Sequence, residues 1–316
     1  MSKKRNERLR STKSLSQRIY TYRWFYVMFI PVLIFAAVFY YAPILGIRYA
    51  FYDYKGIKEP VFVGLKNFEK MFSMKTFWFA FRNTLVLSTA NLLIKTFTAV
   101  LLSLLLNEVI NLRFKKLAQT VVYLPHFMSW VVTASVFALI MSPTQAGLVN
   151  SILTSLGIVE KGSEIYFLAS KTWWTPVYYL ISIWKDAGWG TIIFMATLSS
   201  ISPELYEAAS IDGAGRFQKV RFITMPSLAN TIIVVLILNL AKVMNLFESV
   251  FVLQNDAVIR QSDVIQTYIY YQTFNSGALP NYGYTTAVGL VKSIVGCILV
   301  LICNHASKKV RGSGIV

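Results

Sequence analysis

Charge is scarce in this 316-residue chain, and negative charge is scarcer still. Charged residues make up 14% of it, with 14 Asp/Glu against 31 Lys/Arg. Soluble domains carry roughly 25% charged residues, so a surface of the usual water-facing kind is excluded. There are two cysteines, Cys297 and Cys303, and both lie in one apolar run. That excludes a disulfide framework. Two histidines, His126 and His305, leave little room for a zinc site. The chain has no G-x-S-x-G and no paired histidines, which argues against an intramembrane hydrolase. It also has no Gly-Lys pair, so the phosphate-cradling loop G-x-x-x-x-G-K-[ST] is missing and this chain cannot bind ATP in that way.

Apolar residues are abundant. They reach 55% of the chain, and the mean hydropathy is +0.53. Burying that much apolar surface requires the bilayer as solvent. A membrane-crossing helix needs about 20 mostly apolar residues. Six runs qualify, at 24–47, 84–106, 117–141, 176–199, 228–251 and 285–304. The first is too long for a signal-peptide core, and no small-residue cleavage site follows it. The expectation is an all-α membrane protein with six spans. The net charge of +17 is distributed as membrane-flanking charge rather than as a nucleic-acid footprint. Lys3, Lys4, Arg5, Arg8, Arg10, Lys13, Arg18 and Arg23 crowd the N-terminus, and Lys308, Lys309 and Arg311 crowd the C-terminus. Positive charge marks the cytoplasmic side, so both termini are expected there. The basic residues between positions 48 and 82 run against this bias, but that outer loop is long. Segment 15–25 reads as a short interfacial helix with Tyr20, Tyr22 and Trp24 at headgroup depth. The domain plan is a basic tail at 1–23, a membrane domain at 24–304 and a cytoplasmic tail at 305–316. No internal repeat is evident, which disfavours an inverted-repeat transporter.

The segment 202–226, SPELYEAASIDGAGRFQKVRFITMP, has its own order. Ser202 is a good N-cap and Pro203 suits the first helical position. Glu204 and Glu207 fall in early turns, where the helix dipole favours acids. Ala208 and Ala209 form helix readily and leave room for a close partner. Gly213 fits the position just past a helix end. A second short helix is expected over 216–222, at an angle to the first, with Pro226 preceding the fifth span. By these cues alone the segment is equally an ordinary helical loop between spans.

Glu207-Ala208-Ala209, three residues, Gly213, nine residues, Ile223-Thr224-Met225-Pro226 resembles the EAA-x3-G-x9-I-x-L-P signature of permease subunits of bacterial binding-protein-dependent ABC importers. Met225 in place of Leu is the one departure, and it conserves volume. Two further stretches are similar to carbohydrate importer permeases: Val63-Gly64-Leu65-Lys66-Asn67-Phe68, and Asn83-Thr84. Leu124-Pro125-His126-Phe127-Met128-Ser129-Trp130, Gly147-Leu148-Val149-Asn150 and the C-terminal TAVGLVKS resemble the LplB-type polysaccharide and oligosaccharide subgroup. The resemblance implies a type I importer permease fold in the bacterial cytoplasmic membrane. It also implies that Glu207, Ala208, Ala209, Gly213 and Pro226 belong to a coupling loop that docks on an ATPase. The implied partners are a second, homologous permease subunit, two ATPase subunits that bind ATP and Mg, and a separate solute-binding protein that delivers the saccharide. No cofactor is expected in this chain.

Charged residues inside spans are rare and usually face a cavity or one another. Here they are Lys95, Lys185, Asp186, Lys242, Glu248 and Lys292. Asn239, Lys242, Asn245 and Glu248 recur every third residue, which makes a slanted polar stripe on a helix. Trp184, Lys185, Asp186, Gly188, Trp189 and Gly190 form a second cluster, in which the glycines read as a local helix break. Tryptophan faces suit pyranose rings, while Asn, Asp and Lys suit hydroxyls. Spans flanking the coupling loop carry the sugar contacts in maltose-type importers. Asp186, Trp189, Asn239, Lys242 and Asn245 are therefore the candidate pathway residues, and several cavity lysines would favour an acidic saccharide. Each has a plainer reading. Lys242 pairs with Glu248 or with an acid of a partner, the tryptophans are packing or interfacial anchors, and Lys95 and Lys292 pair between helices. His126 reads as a cap or packing residue, and the cysteines as small core residues. The competing function is an autonomous, ion-coupled secondary transporter of sugars.

Overall fold

The computed structural model describes residues 15–57, 59–144, 147–275 and 279–311. The basic residues at 3–13 and Gly277 lie outside them, as do the side chains of Arg18, Lys309 and Arg311. The described chain is mostly helical.

Helix α1 (Leu15–Thr21) leads into α2 (Arg23–Ala36). The Arg23 guanidinium lies over the rings of Tyr20 and Trp24, 4.3 and 5.7 Å from their centroids. The helix continues through a π turn (Ala37–Tyr41) and a 3-10 stretch (Ala42–Phe51). No residue of α2 is buried by the rest of the chain, although nearly all are apolar. A small hairpin, β1 (Tyr52–Asp53) and β2 (Val61–Phe62), pairs antiparallel with Tyr52 opposite Phe62. Then come α3 (Lys66–Ser73), the long α4 (Lys75–Glu108) and α5 (Leu112–Tyr123). A 3-10 turn at Leu124–Phe127 is followed by α6 (Trp130–Ile140), α7 (Leu148–Ser155) and α8 (Trp174–Ser199).

Helix α9 (Pro203–Ile211) and α10 (Arg216–Lys219) form the loop expected to couple. A π turn (Val220–Thr224) joins α10 to α11 (Met225–Leu240). After a 3-10 turn (Val243–Asn245) come α12 (Glu248–Leu253), α13 (Ile259–Ser262), α14 (Ile265–Phe274) and α15 (Tyr282–Arg311).

Four helical segments are long and apolar enough to cross a membrane: Arg23–Phe51, Lys75–Glu108, Arg216–Leu240 and Tyr282–His305. A fifth is the pair Leu112–Phe127 and Trp130–Ile140, bent by 103°. Against the six expected spans there are three differences. The third is bent, because Pro125 opens the 3-10 turn and Ser129 caps a new helix through its Oγ to Val132 N at 3.2 Å. The fourth is the continuous 26-residue helix α8, but it carries Lys185 and Asp186 and is not among the strongly apolar segments. It is buried along much of its length, so its polar residues face protein and cavity rather than lipid. The fifth does not reach 251: its helix ends at Leu240, and the chain is irregular through Phe247.

The expected break at Gly188 and Gly190 does not occur, since α8 runs through both. These glycines serve close packing. A Cβ on Gly188 would lie 2.0 Å from the Val122 carbonyl oxygen of α5, and one on Gly190 would lie 3.0 Å from the Ala99 Cβ of α4. Nor is 216–222 a separate helix. The π turn lets the chain pass Pro226 without a break, and Arg216–Leu240 is one segment. Cys297 is exposed and Cys303 half-buried, so neither is a core residue.

Three apolar clusters hold the helices. The first surrounds Trp174, Tyr178 and Ile181 of α8 with Val250 and Leu253, and Trp174 Nε1 donates to Leu253 O at 2.9 Å. The second gathers Met71, Phe77, Tyr268 and Tyr284. The third packs Ala99, Phe194 and Leu228. Motif residues act as staples between them. Asn67 Nδ2 donates to the carbonyls of Ala50 and Tyr52, both at 2.9 Å. Asn83 Nδ2 donates to those of Arg260 and Asp263, both at 3.0 Å. Thr84 Oγ1 accepts from Ile265 N at 2.8 Å. Asn150 joins Ser142 to Ile165 in the same manner.

Candidate functional site

The break in the fifth span opens onto a cavity of about 960 Å³. Helix α4 supplies Ser88, Asn91 and Lys95 to its wall, and the bend before α6 supplies His126 and Trp130. Helix α8 supplies Asp186 and Trp189. Asn239, Lys242, Asn245 and Glu248 come from the broken segment. The five candidate pathway residues named above thus share one cavity wall.

Ion pairing within that wall is uneven. Lys95 Nζ lies 2.5 Å from Asp186 Oδ2. His126 Nδ1 is 3.3 Å from Asp186 Oδ1, and Lys185 Nζ is 3.8 Å from the same oxygen. Lys185 is buried, donates to the His126 carbonyl at 3.1 Å and sits over the Trp130 ring at 5.5 Å. One carboxylate therefore faces two lysines and a histidine. The His126 ring stacks on Trp189 with centroids 4.7 Å apart and planes 10° apart. Trp184 instead packs edge-on against Phe137 at 5.2 Å and does not line the cavity.

Across the cavity, Lys242 and Glu248 are exposed, and neither has an ion-pair partner among the described residues. The pairing of Lys242 with Glu248 is therefore not formed. Asn245 Oδ1 accepts from Lys292 Nζ of α15 at 2.9 Å, which fastens the broken segment to the last helix. Asn91 Nδ2 donates to Tyr178 OH at 3.4 Å, and that hydroxyl lies 3.3 Å from Ser249 Oγ.

Sequence reasoning missed His126 and Asn91 as wall residues, whereas Lys95 pairs between helices as expected, with Asp186 of α8. Asn91 and Lys95 are one turn apart on α4, a polar pair inside an apolar run.

The loop beneath is joined to this cavity through α11. Helix α9 has no buried residue, and Leu205, Ile211, Phe217 and Phe222 are exposed. Ser202 caps it by position only, with Leu205 N donating to Ser202 O at 3.3 Å. The helix ends at Gly213, whose φ of +78° is the left-handed conformation glycine tolerates. Ala214 N donates back to Ala209 O at 2.8 Å, which closes the end. The corner is tied twice more: Tyr206 OH to Thr224 Oγ1 at 3.0 Å, and Lys219 Nζ to Ser210 Oγ at 2.7 Å. Gly215 N donates to Gln218 Oε1 at 2.7 Å, which starts α10. From Arg216 the helix runs unbroken to Leu240, and Asn239 then lies on the cavity wall.

Away from the spans, Asp263 sits in the segment between α13 and α14. Burial pushes its carboxyl up to about 6, although Thr267 Oγ1 donates to it at 2.6 Å.

Residues 71–312 match the family model described as binding-protein-dependent transport system inner membrane component. The polygalacturonan/rhamnogalacturonan transport system permease protein YteP of Bacillus subtilis (strain 168) is 39% identical, over 96% of this chain and 93% of its own. The protein LplB of the same organism is also 39% identical, over 93% and 91%. A solved structure of a bacterial alginate ABC transporter in complex with alginate pentasaccharide-bound periplasmic protein contains a chain that superposes with a TM-score of 0.85. That chain is 34% identical, and the match covers 96% of this chain and 100% of that one.

Proposed function

We propose a function from one premise: the chain belongs to the family of binding-protein-dependent transport system inner membrane components. It is the permease of an ABC importer of sugars, and its substrate is an acidic oligosaccharide. The transporter that YteP serves is named for polygalacturonan, a polymer of a uronic acid, and the solved neighbour carries alginate. A uronate places one carboxylate on each ring, and the exposed Lys242 ammonium on the cavity wall suits it. Trp189 offers a face for a pyranose ring. Asn239 and Asn245 offer groups for hydroxyls. Asp186 is occupied by Lys95, Lys185 and His126, so its role here is to orient those three side chains.

The proposed assembly contains a second permease, two ATPase subunits and a solute-binding protein. The proposed topology has six spans with α8 as the fourth, and both termini in the cytoplasm. The 1–23, 24–304 and 305–316 division is kept.

Access alternates between the two sides of the membrane. ATP binding closes the ATPase pair, which grips the loop at Glu207, Ala208 and Ala209. The loop transmits motion because it is tied to α11, and α11 ends at the cavity. Outward opening receives the sugar from its binding protein, and hydrolysis resets the cavity inward. A coupling contact can bias the two states only by the difference in its energy between them.

The observation that carries this reading is one continuous helix, Arg216–Leu240, with the exposed loop at one end and the cavity wall at the other. The test is uptake by the reconstituted assembly of a galacturonate trimer against a neutral hexose trimer. Preference for the acidic trimer is expected. Equal uptake would overturn the acidic-substrate reading, and uptake by this chain alone driven by an ion gradient would overturn the ABC reading in favour of a secondary transporter.

A further inference from the structure

A second cavity, about 590 Å³, opens on the opposite face of α4. At 100° per residue, Phe79, Arg82, Asn83 and Val86 lie about 180° around the helix from Ser88, Asn91 and Lys95. The second cavity is therefore turned away from the proposed sugar pathway. Its wall carries three cations, Arg82, Lys171 and Arg260, and one acid, Asp256. None of the four has an ion-pair partner among the described residues.

Arg260 is fixed on this wall. Asn83 Nδ2 binds the Arg260 carbonyl at 3.0 Å, and the Arg260 guanidinium lies over the Phe79 ring, 4.8 Å from its centroid. Lys171 precedes the first turn of α8, and Arg82 is two residues before the apolar run of α4 begins. The same wall continues into Val86, Leu87, Val258 and Ile259. Cations and apolar side chains thus line the same cavity, with Arg82 just before the apolar run. A water-soluble sugar has no use for those apolar side chains. A phospholipid does, since it joins an anionic phosphate to acyl chains. Guanidinium groups bind phosphate bidentately, which suits them to an anionic headgroup.

We propose that this cavity is a binding site for the headgroup of an anionic phospholipid. The proposal rests on the chain spanning a membrane, and on nothing about its sugar or its ATPase.

The test uses the assembled transporter in bilayer discs of equimolar phosphatidylglycerol and phosphatidylcholine. Native mass spectrometry then counts the lipids that stay bound. Wild type should retain phosphatidylglycerol preferentially. Arg82→Gln and Arg260→Gln should each lower that preference about fivefold, and the double variant should nearly abolish it. Lys161→Gln, on an exposed loop elsewhere, should leave it unchanged. Equal retention of both lipids by wild type would overturn the proposal, as would undiminished preference in a double variant that still transports. So would loss of the preference in millimolar inorganic phosphate, which would mark a free-anion site. ATP-driven uptake measured on the same discs reports separately on the permease reading.

Discussion

Tyr206 and Thr224 meet hydroxyl to hydroxyl at 3.0 Å, and this contact joins the exposed α9 to the helix that reaches the cavity. Thr224 is buried, and its hydroxyl also lies 3.3 Å from the Lys219 carbonyl. In the proposed coupling this contact makes α9 a lever arm rather than a hinged flap. Tyr206→Phe removes one hydrogen bond of about 1 kcal/mol. We expect normal membrane insertion and ATPase binding, but fewer sugars moved per ATP. The ratio of uptake to phosphate release in proteoliposomes measures it.

Gly213 is the second support of the lever. Proline is restricted to φ near −65°, so Gly213→Pro cannot adopt the observed +78°. Glu207→Lys reverses the charge on the exposed face of α9. Both should leave the chain in the membrane and uncouple ATPase from transport. Unchanged transport in both variants would remove the coupling role from this loop.

Among the described residues, Asp186 is the one acid paired with Lys95, Lys185 and His126. Asp186→Asn leaves the buried Lys185 without a counter-charge, and breaking a pair of this kind costs about 3–5 kcal/mol. We expect a lower melting temperature for the purified assembly. Lys95→Met made in the same chain should recover part of the loss, because it removes one of the two lysines left uncompensated. A double variant no more stable than Asp186→Asn would contradict the shared-carboxylate account.

Burial raises the Asp263 carboxyl from 3.8 to about 6. The folded state therefore favours the protonated form more than the unfolded chain does. The resulting stability is fully present below pH 3.8 and is lost as pH rises through 6, by at most about 3 kcal/mol. Asp263→Asn should flatten this part of the pH profile and raise the melting temperature at pH 7. Melting curves from pH 4 to 7 for both proteins check the sign.

The overall plan was legible in the sequence because its signals are local. Apolar run length located the four long apolar helices that begin at Arg23, Lys75, Arg216 and Tyr282, and Gly213 and Pro203 marked the ends of α9. The polar spacing from Asn239 to Glu248 marked one stretch of cavity wall. That spacing assumed a continuous helix, whereas the same residues reach the cavity through a break after Leu240. Gly188 failed as a local signal because its reason is distant: the Val122 carbonyl on another helix occupies the space of a Cβ. His126 failed for the same reason, since its meaning depends on Asp186 and Trp189, sixty and more positions away. The cationic cavity at Arg82, Lys171 and Arg260 draws on three separate segments, so no linear pattern could have announced it.

Lys242 gives the test of specificity. Lys242→Gln keeps a polar side chain and removes the positive charge. We expect acidic oligosaccharide uptake to fall about tenfold, as the loss of one charge-assisted hydrogen bond predicts. Neutral analogues should change little. A uniform loss for both would assign Lys242 to structure rather than to recognition.

The most direct measurement is uptake into proteoliposomes holding this chain with the proposed second permease, supplied outside with the loaded solute-binding protein, with and without the ATPase subunits, and loaded with ATP or with a non-hydrolysable analogue. Uptake only when ATPase and hydrolysable ATP are both present is the predicted result. Sustained uptake without the ATPase, or with the analogue, would contradict the central claim that this chain is a gate moved from below.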